Sequence, residues 1–66
     1  MMTTYLTQEE AAEILRLSPR TLERMRVTGT GPRFRKFGRR VLYDRQDIFT
    51  WADSKAFAST SEFMDI

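Results

Sequence analysis

A connection of only three residues, 16–18, separates two helix-forming segments and constrains the fold more than any other feature of the sequence. Ser18 followed by Pro19 is a favourable helix start, because Ser caps free N–H groups and Pro is tolerated at the first helical position. The second helix is therefore predicted to begin there and to end before Gly29. So short a junction forces the two helices to cross steeply, as in a helix-turn-helix.

The first helix is marked by its own capping signal. Thr7 and Glu10 have the spacing of a capping box, in which each side chain accepts the backbone N–H of the other residue. Apolar residues then recur at helical spacing and predict one buried face. They are Ala11, Ile14 and Leu15. We place this helix at about residues 8–15.

Residues 33–43 predict a β-hairpin. Two short runs of β-type residues flank Gly38, which supplies the turn. Phe34 and Phe37 occupy positions of opposite parity, so strict alternation fails on the first strand. Two explanations stay open: a bulge intervenes, or Phe37 belongs to the turn.

A third helix is predicted to start at Asp44, whose side chain caps it, with Asp47 as a weaker partner in the first turn. Its apolar face consists of Ile48, Trp51 and Ala52. The predicted core of the whole chain consists of Leu15, Leu17, Leu22, Met25, Val41, Tyr43, Ile48 and Trp51.

The sequence thus predicts one domain, mainly α-helical with a small β-hairpin. The domain comprises residues 1–53, and residues 54–66 form a C-terminal tail rich in Ser, Thr and Ala. Three interpretations of the tail stay open: a short final helix, a contact between copies of the protein, or a loose end.

The absence of cysteine and histidine narrows the classes of function. Without Cys there is no disulfide framework and no thiolate zinc site, and without His the usual general base is missing. A chain of 66 residues also cannot easily enclose a water-excluded site beside its core. We therefore expect no metal, no cofactor and no enzymatic activity. The sequence has no membrane span and no signal-peptide pattern, so we expect a cytoplasmic protein without a membrane partner.

The formal charge of +2 hides a strong asymmetry. Residues 16–45 hold ten of the eleven Lys and Arg residues but only two acids, Glu23 and Asp44, for a net charge of +8. The flanks hold seven acids and one Lys, for a net charge of −6. A basic centre between acidic ends is typical of a protein that binds a polyanion, and Arg suits forked contacts to phosphate and guanine. Charge alone leaves open an Arg-rich surface that meets only solvent.

Several stretches together resemble a known family. Residues 8–22, QEEAAEILRLSPRTL, look like the helix-turn-helix of the MerR-like superfamily. Gly31-Pro32, then FGRRVLY at 37–43 and DIFTW at 47–51, resemble its small single-domain branch. That branch includes excisionases of phages and mobile elements, AlpA-like regulators and BldC-like regulators. The resemblance covers about residues 5–52.

The resemblance implies a winged helix-turn-helix. Its second helix would enter the major groove of DNA, and its hairpin, the wing, would lie against the backbone or in the minor groove. The DNA contacts implied for the second helix are Ser18, Pro19, Arg20, Thr21, Glu23 and Arg24. Those implied for the wing are Arg33, Arg35, Lys36, Arg39 and Arg40. The sensing functions of full-length MerR regulators are not implied, because this sequence shows neither their coiled-coil helix nor their effector domain.

Arg16 departs from the family pattern, in which many members have Gly at this position. A left-handed backbone would cost Arg of order 1 kcal/mol there. Two alternatives stay open: the turn has a different conformation, or Arg16 contacts a phosphate. Arg26 is a second candidate for a phosphate contact.

Arg20 and Arg24 are four residues apart and therefore share one face of the second helix. Either one can fork onto guanine O6 and N7, which is worth about 1–3 kcal/mol of discrimination. Two roles of Glu23 stay open: it accepts a hydrogen bond from cytosine N4, or it holds Arg20 or Arg26 in position. The second role is favoured, because phosphates repel an acid.

One recognition helix reads few base pairs, so specific addressing requires several copies on adjacent sites. No heptad seam predicts a coiled-coil dimer, and we expect head-to-tail association on double-stranded DNA. The aromatic residues Phe57 and Phe63 of the tail are candidate contacts.

The first functional hypothesis is an excisionase, that is, a recombination directionality factor. Such a protein, prokaryotic or phage-encoded and nucleoid-associated, bends attachment-site DNA so that a tyrosine-recombinase integrase works in the direction of excision. The alternatives are a small MerR-, AlpA- or BldC-like transcriptional regulator, and a protein-interaction module whose Arg face meets an acidic protein.

Overall fold

The computed structural model describes residues 5–59 as three helices and a three-stranded antiparallel sheet. The strands are β1 (Tyr5–Leu6), β2 (Arg35–Phe37) and β3 (Arg40–Asp44). The helices are α1 (Gln8–Leu15), α2 (Pro19–Thr28) and α3 (Arg45–Asp53). This arrangement confirms the predicted winged helix-turn-helix, in which β2 and β3 form the wing.

The predicted starts of α1 and α2 are both formed. The Thr7 hydroxyl accepts the backbone N–H of Glu10 at 3.1 Å, and the Glu10 carboxylate accepts that of Thr7 at 2.9 Å, which completes the capping box of α1. At α2, the Ser18 hydroxyl accepts the backbone N–H of Thr21 at 3.1 Å. Pro19 occupies the first helical position. Because Ser18 caps the start of α2, the turn between the two helices must end at this residue.

The turn between α1 and α2 contains a left-handed residue, Arg16, with φ 58° and ψ 38°. Two backbone bonds close it: Leu17 N–H donates to the Ala12 carbonyl at 2.9 Å, and Arg16 N–H donates to the Glu13 carbonyl at 3.1 Å. This is the pattern of a Schellman motif, which favours Gly at the left-handed position. Of the two alternatives for Arg16, the altered turn is therefore wrong.

The sheet has one strand more than the predicted hairpin. Its order is β1-β3-β2, and Leu6 of β1 lies opposite Tyr43 of the central strand. The sequence did not predict β1, because two residues are too few to show a periodicity. Through this strand the chain before α1 is tied to the root of the wing.

The parity conflict between Phe34 and Phe37 disappears because β2 begins only at Arg35. The pairing of β2 with β3 is regular, and Phe37 is a strand residue opposite Arg40, so neither of the two explanations is correct. The two rings have different neighbours. Phe34 packs against Tyr43 at 6.4 Å between ring centroids, and Phe37 meets Tyr5 edge-on at 5.4 Å.

The core lies between α1, α2, α3 and β3 and is smaller than the predicted core. Its buried members are Leu6, Ala11, Ala12, Leu22, Tyr43 and Ile48. The other predicted members are only partly buried: Leu15, Leu17, Met25, Val41 and Trp51. Ile14, which belongs to the predicted apolar face of α1, is 38% exposed, whereas Ala12 is 1% exposed. α1 thus turns its small side chains inward, which lets its backbone approach the neighbouring elements closely.

α3 begins at the predicted cap, where the Asp44 carboxylate accepts the backbone N–H of Gln46 at 2.9 Å. Asp47, the expected capping partner, instead accepts a hydrogen bond from Arg35 of the wing. The domain boundary after residue 53 and the role of the tail stay predictions. Phe57 is 50% exposed, and Phe63 lies outside the described residues.

Candidate nucleic-acid interface

α2 presents a basic face to solvent. Arg20, Glu23 and Arg24 are all exposed, and the two Arg residues share one face because they are four apart. Within residues 5–59, no ion pair involves any of the three. Both guanidinium groups are thus available to an external acceptor, and in this part of the chain Glu23 holds neither Arg20 nor Arg26.

The start of α2 is polar and rigid. The hydroxyls of Ser18 and Thr21 bond each other at 2.8 Å, while Pro19 is exposed beside them. The first turn of α2 contains no acidic residue. The positive end of its dipole can therefore face a phosphate.

The wing carries cations at its tip and on both faces. Gly38 and Arg39 form the two-residue turn, and Gly38 has φ 62°, the positive value that such hairpin turns require. Lys36 lies opposite Val41, whereas Arg40 lies opposite Phe37, so these two cations project from opposite faces of the hairpin. Lys36, Arg39 and Arg40 are all exposed.

Arg35, which the sequence placed among the DNA contacts, is turned toward α3. Its guanidinium donates to the Asp47 carboxylate at 3.0 Å and lies 4.0 Å from that of Asp44. These two carboxylates already match its charge. Arg35 therefore anchors the wing to the first turn of α3.

Arg26 is half-buried and is held by residues of α1, of β3 and of the loop before β2. Its Nη1 donates to Gln8 Oε1 at 2.5 Å and to the Tyr43 hydroxyl at 3.2 Å, and its guanidinium lies 5.8 Å from the centre of the Phe34 ring. None of these partners carries a charge. No local sequence pattern indicates Gln8 as a partner, because it lies 18 residues away from Arg26 along the chain.

A groove of about 320 Å³ separates the last turn of α2 from the root of the wing. Its lining consists of Met25, Arg26, Gly29, Gly31, Pro32, Arg33 and Phe34. Gly31 passes so close to α2 that an added Cβ would lie 2.8 Å from the Cβ of Met25. Arg33 is exposed at the rim of this groove, and no ion pair holds it within residues 5–59.

Arg16 is exposed in the turn, two residues before the cap of α2. It therefore adds a cation beside the polar start of that helix. The structure thus leaves the cations of the turn, of α2 and of the wing tip exposed, whereas it pairs Arg35 with the first turn of α3. No helix among residues 5–59 is long and apolar enough to cross a membrane.

Comparison with protein families matches residues 5–56 of the chain to a family described as a helix-turn-helix domain. The matched segment contains all six helices and strands described above. No curated protein matches the sequence at a significant level.

Proposed function

The chain belongs to the helix-turn-helix domain family, and from this premise we propose that it is a DNA-binding architectural protein of the small MerR-like branch. In this proposal it acts as an excisionase that binds tandem sites and bends attachment-site DNA. DNA binding itself is the function that the family supports. The excisionase role, the self-association and the integrase partner are our further steps.

The observation that carries the proposal is the exposed pair Arg20 and Arg24 on a helix whose start is capped and free of acid. Two Arg forks on one helical face suit the acceptor pairs of guanine in the major groove. The exposed charge is not neutralised by ion pairs within the described part of the chain. α2 is therefore assigned as the recognition helix.

The distribution of charge on the wing favours insertion into the minor groove. A hairpin that lay flat on one strand would need cations on one face only. Lys36 and Arg40 instead project from opposite faces, with Arg39 at the tip. Such a hairpin can meet the phosphates on both walls of a narrow groove at once.

The proposal includes several copies of the protein on bent DNA. A single module of this kind covers about 600–1,000 Å² on DNA, too little for a unique address, so several copies act on neighbouring sites. Smooth bending of such a site costs of order 1–6 kcal/mol, which additional protein contacts can offset. The exposed acids Glu9 and Glu13 of α1 suit contacts with the basic central segment, residues 16–45, of a neighbouring copy.

The recognition helix is tested with Arg20→Ala and Arg24→Ala, assayed by fluorescence anisotropy on a footprinted site and on single-base variants of it. Each substitution should abolish the preference at one base pair, worth about 1–3 kcal/mol. Arg45→Ala is the matched control, because Arg45 is exposed at the start of α3, beside Phe49. Unchanged base preferences in both α2 variants would refute the assignment.

The excisionase role is tested by a recombination assay with the integrase and its attachment sites, together with fluorescence energy transfer across the bound site. Excision that depends on this protein, accompanied by bending, supports the proposal. Footprints confined to promoters, without any effect on recombination, would make the protein a transcriptional regulator. Absence of salt-dependent DNA binding would favour the protein-interaction module.

A further inference from the structure

We infer that the groove between α2 and the wing seats one sugar-phosphate strand of the bound duplex, with Arg26 as a preorganised phosphate contact. This inference rests on the proposed function. The groove is defined by Met25, Arg26, Pro32, Arg33 and Phe34, together with two glycines of the connecting loop. It adds to the interface a site that lies between the recognition helix and the wing.

The position of the groove is the first argument. If α2 lies in the major groove and the wing in the neighbouring minor groove, one strand of the duplex must pass between them. The groove separates these two elements, because the last turn of α2 forms one wall and the root of the wing forms the other. The close approach of Gly31 to Met25 keeps the connecting loop against the helix.

The lining matches the chemistry of a sugar-phosphate strand. Two guanidinium groups, of Arg26 and Arg33, are its charged members, and no carboxylate lines it. Both observed side-chain bonds of Arg26 come from Nη1, and no bond from its Nη2 or Nε is formed within residues 5–59. Met25, which is partly exposed, and Phe34, which is exposed, supply apolar surface for deoxyribose. An acidic protein segment would also match the charge of the groove. In the proposed complex, however, it is a DNA strand that passes between α2 and the wing.

The contacts of Arg26 explain why it is set up to bind. Gln8 and Tyr43 fix Nη1, and the Phe34 ring lies beneath the guanidinium, so the side chain need not be ordered when a phosphate arrives. Because all three partners are neutral, they hold the group without cancelling its charge. Gln8 and Tyr43 are therefore positioning residues for this contact.

The test uses the full chain and a duplex footprinted with the wild-type protein. Arg26→Met retains most of the apolar stem, and Arg33→Ala removes an exposed side chain, so the second variant does not depend on the fold tolerating a change near the core. Each substitution should make the negative slope of log K against log salt shallower by about 0.9. The affinity should fall about eightfold at roughly 0.1 M salt. Arg45→Ala is the control for loss of one positive charge.

Phosphate ethylation interference locates the contact. With the wild-type protein, ethylation of phosphates between the two grooves should block binding, and this interference should vanish in the Arg26→Met and Arg33→Ala complexes. Tyr43→Phe should weaken binding two- to threefold in the wild-type background and not at all in the Arg26→Met background. A purely structural role for Arg26 would change the unfolding midpoint without changing the interference pattern.

The two levels of the argument fail differently. If the wild-type protein shows no salt-dependent binding to DNA, the proposed function itself is overturned. If the wild-type protein binds normally and both variants keep its salt slope and interference pattern, only the assignment of the groove to a sugar-phosphate strand is overturned. The groove would then be a candidate site for an acidic protein segment.

Discussion

Replacing Arg16 by Gly is expected to stabilise the protein and, at the same time, to weaken its binding to DNA. Arg16 has φ 58° and ψ 38°, the left-handed conformation. This costs a side-chain-bearing residue about 1–2 kcal/mol, which Gly avoids. Gly also gives the unfolded chain more freedom, which takes back about 0.4–1 kcal/mol. The free energy of unfolding should therefore rise by about 0.5–1 kcal/mol, or about 2–8 °C in Tm.

The effect on binding has the opposite sign, because the exposed guanidinium beside the start of α2 is lost. Loss of one phosphate contact makes the negative slope of log K against log salt shallower by about 0.9. At roughly 0.1 M salt this corresponds to about an eightfold loss of affinity. Stability is measured by thermal unfolding of the free protein, and binding by anisotropy titrations at several salt concentrations.

Two further substitutions separate strain from charge. Arg16→Lys keeps both the charge and the strain, so stability and slope should stay near the wild-type values. Arg16→Asn removes the charge but tolerates the left-handed conformation, so the slope should fall as with Gly while stability rises less. A Gly variant no more stable than wild type would refute the strain, and an unchanged slope would refute the phosphate contact.

Three other substitutions test the frame around the interface. Thr7→Ala removes half of the capping box, so urea unfolding should show a loss of about 1 kcal/mol; no loss would mean that the cap contributes nothing. Gly31→Ala brings a Cβ within 2.8 Å of the Met25 Cβ, so overpacking should cost about 1–3 kcal/mol, and an unchanged unfolding midpoint would contradict this close approach. Arg35→Met breaks a pair whose Arg side chain is 39% exposed, so stability should fall by less than about 1 kcal/mol and the DNA salt slope should not change; a slope reduced by about 0.9 would show that Arg35 reaches phosphate.

Sequence reasoning succeeded where the determining contacts are local. The capping box of Thr7 and Glu10, and the Ser18-Pro19 start of α2, each involve residues no more than three apart, so their spacing was readable. Two capped starts and the residues between them were enough to predict a helix-turn-helix. The spacing of Arg20 and Arg24 placed both on one face for the same reason.

The sequence failed where a contact joins distant parts of the chain. Arg35 meets Asp47 and Arg26 meets Gln8, at separations of 12 and 18 residues, and no local pattern distinguishes these cations from their exposed neighbours. The burial of Ala12 in place of Ile14 has a similar origin, because packing against other elements decided which face of α1 turned inward. Tertiary contacts thus paired Arg35 with carboxylates and held Arg26 by neutral groups, while the neighbouring cations stayed exposed.

The central claim is that α2 and the wing bind DNA through cations that the fold leaves unpaired. It is tested most directly by the salt dependence of wild-type binding to a duplex that contains the footprinted site. The phosphate contacts proposed here are Arg16, Arg26, Arg33, Lys36, Arg39 and Arg40. About six neutralised phosphates predict a slope of log K against log salt near −5 to −6. A slope shallower than about −2 would contradict the claim.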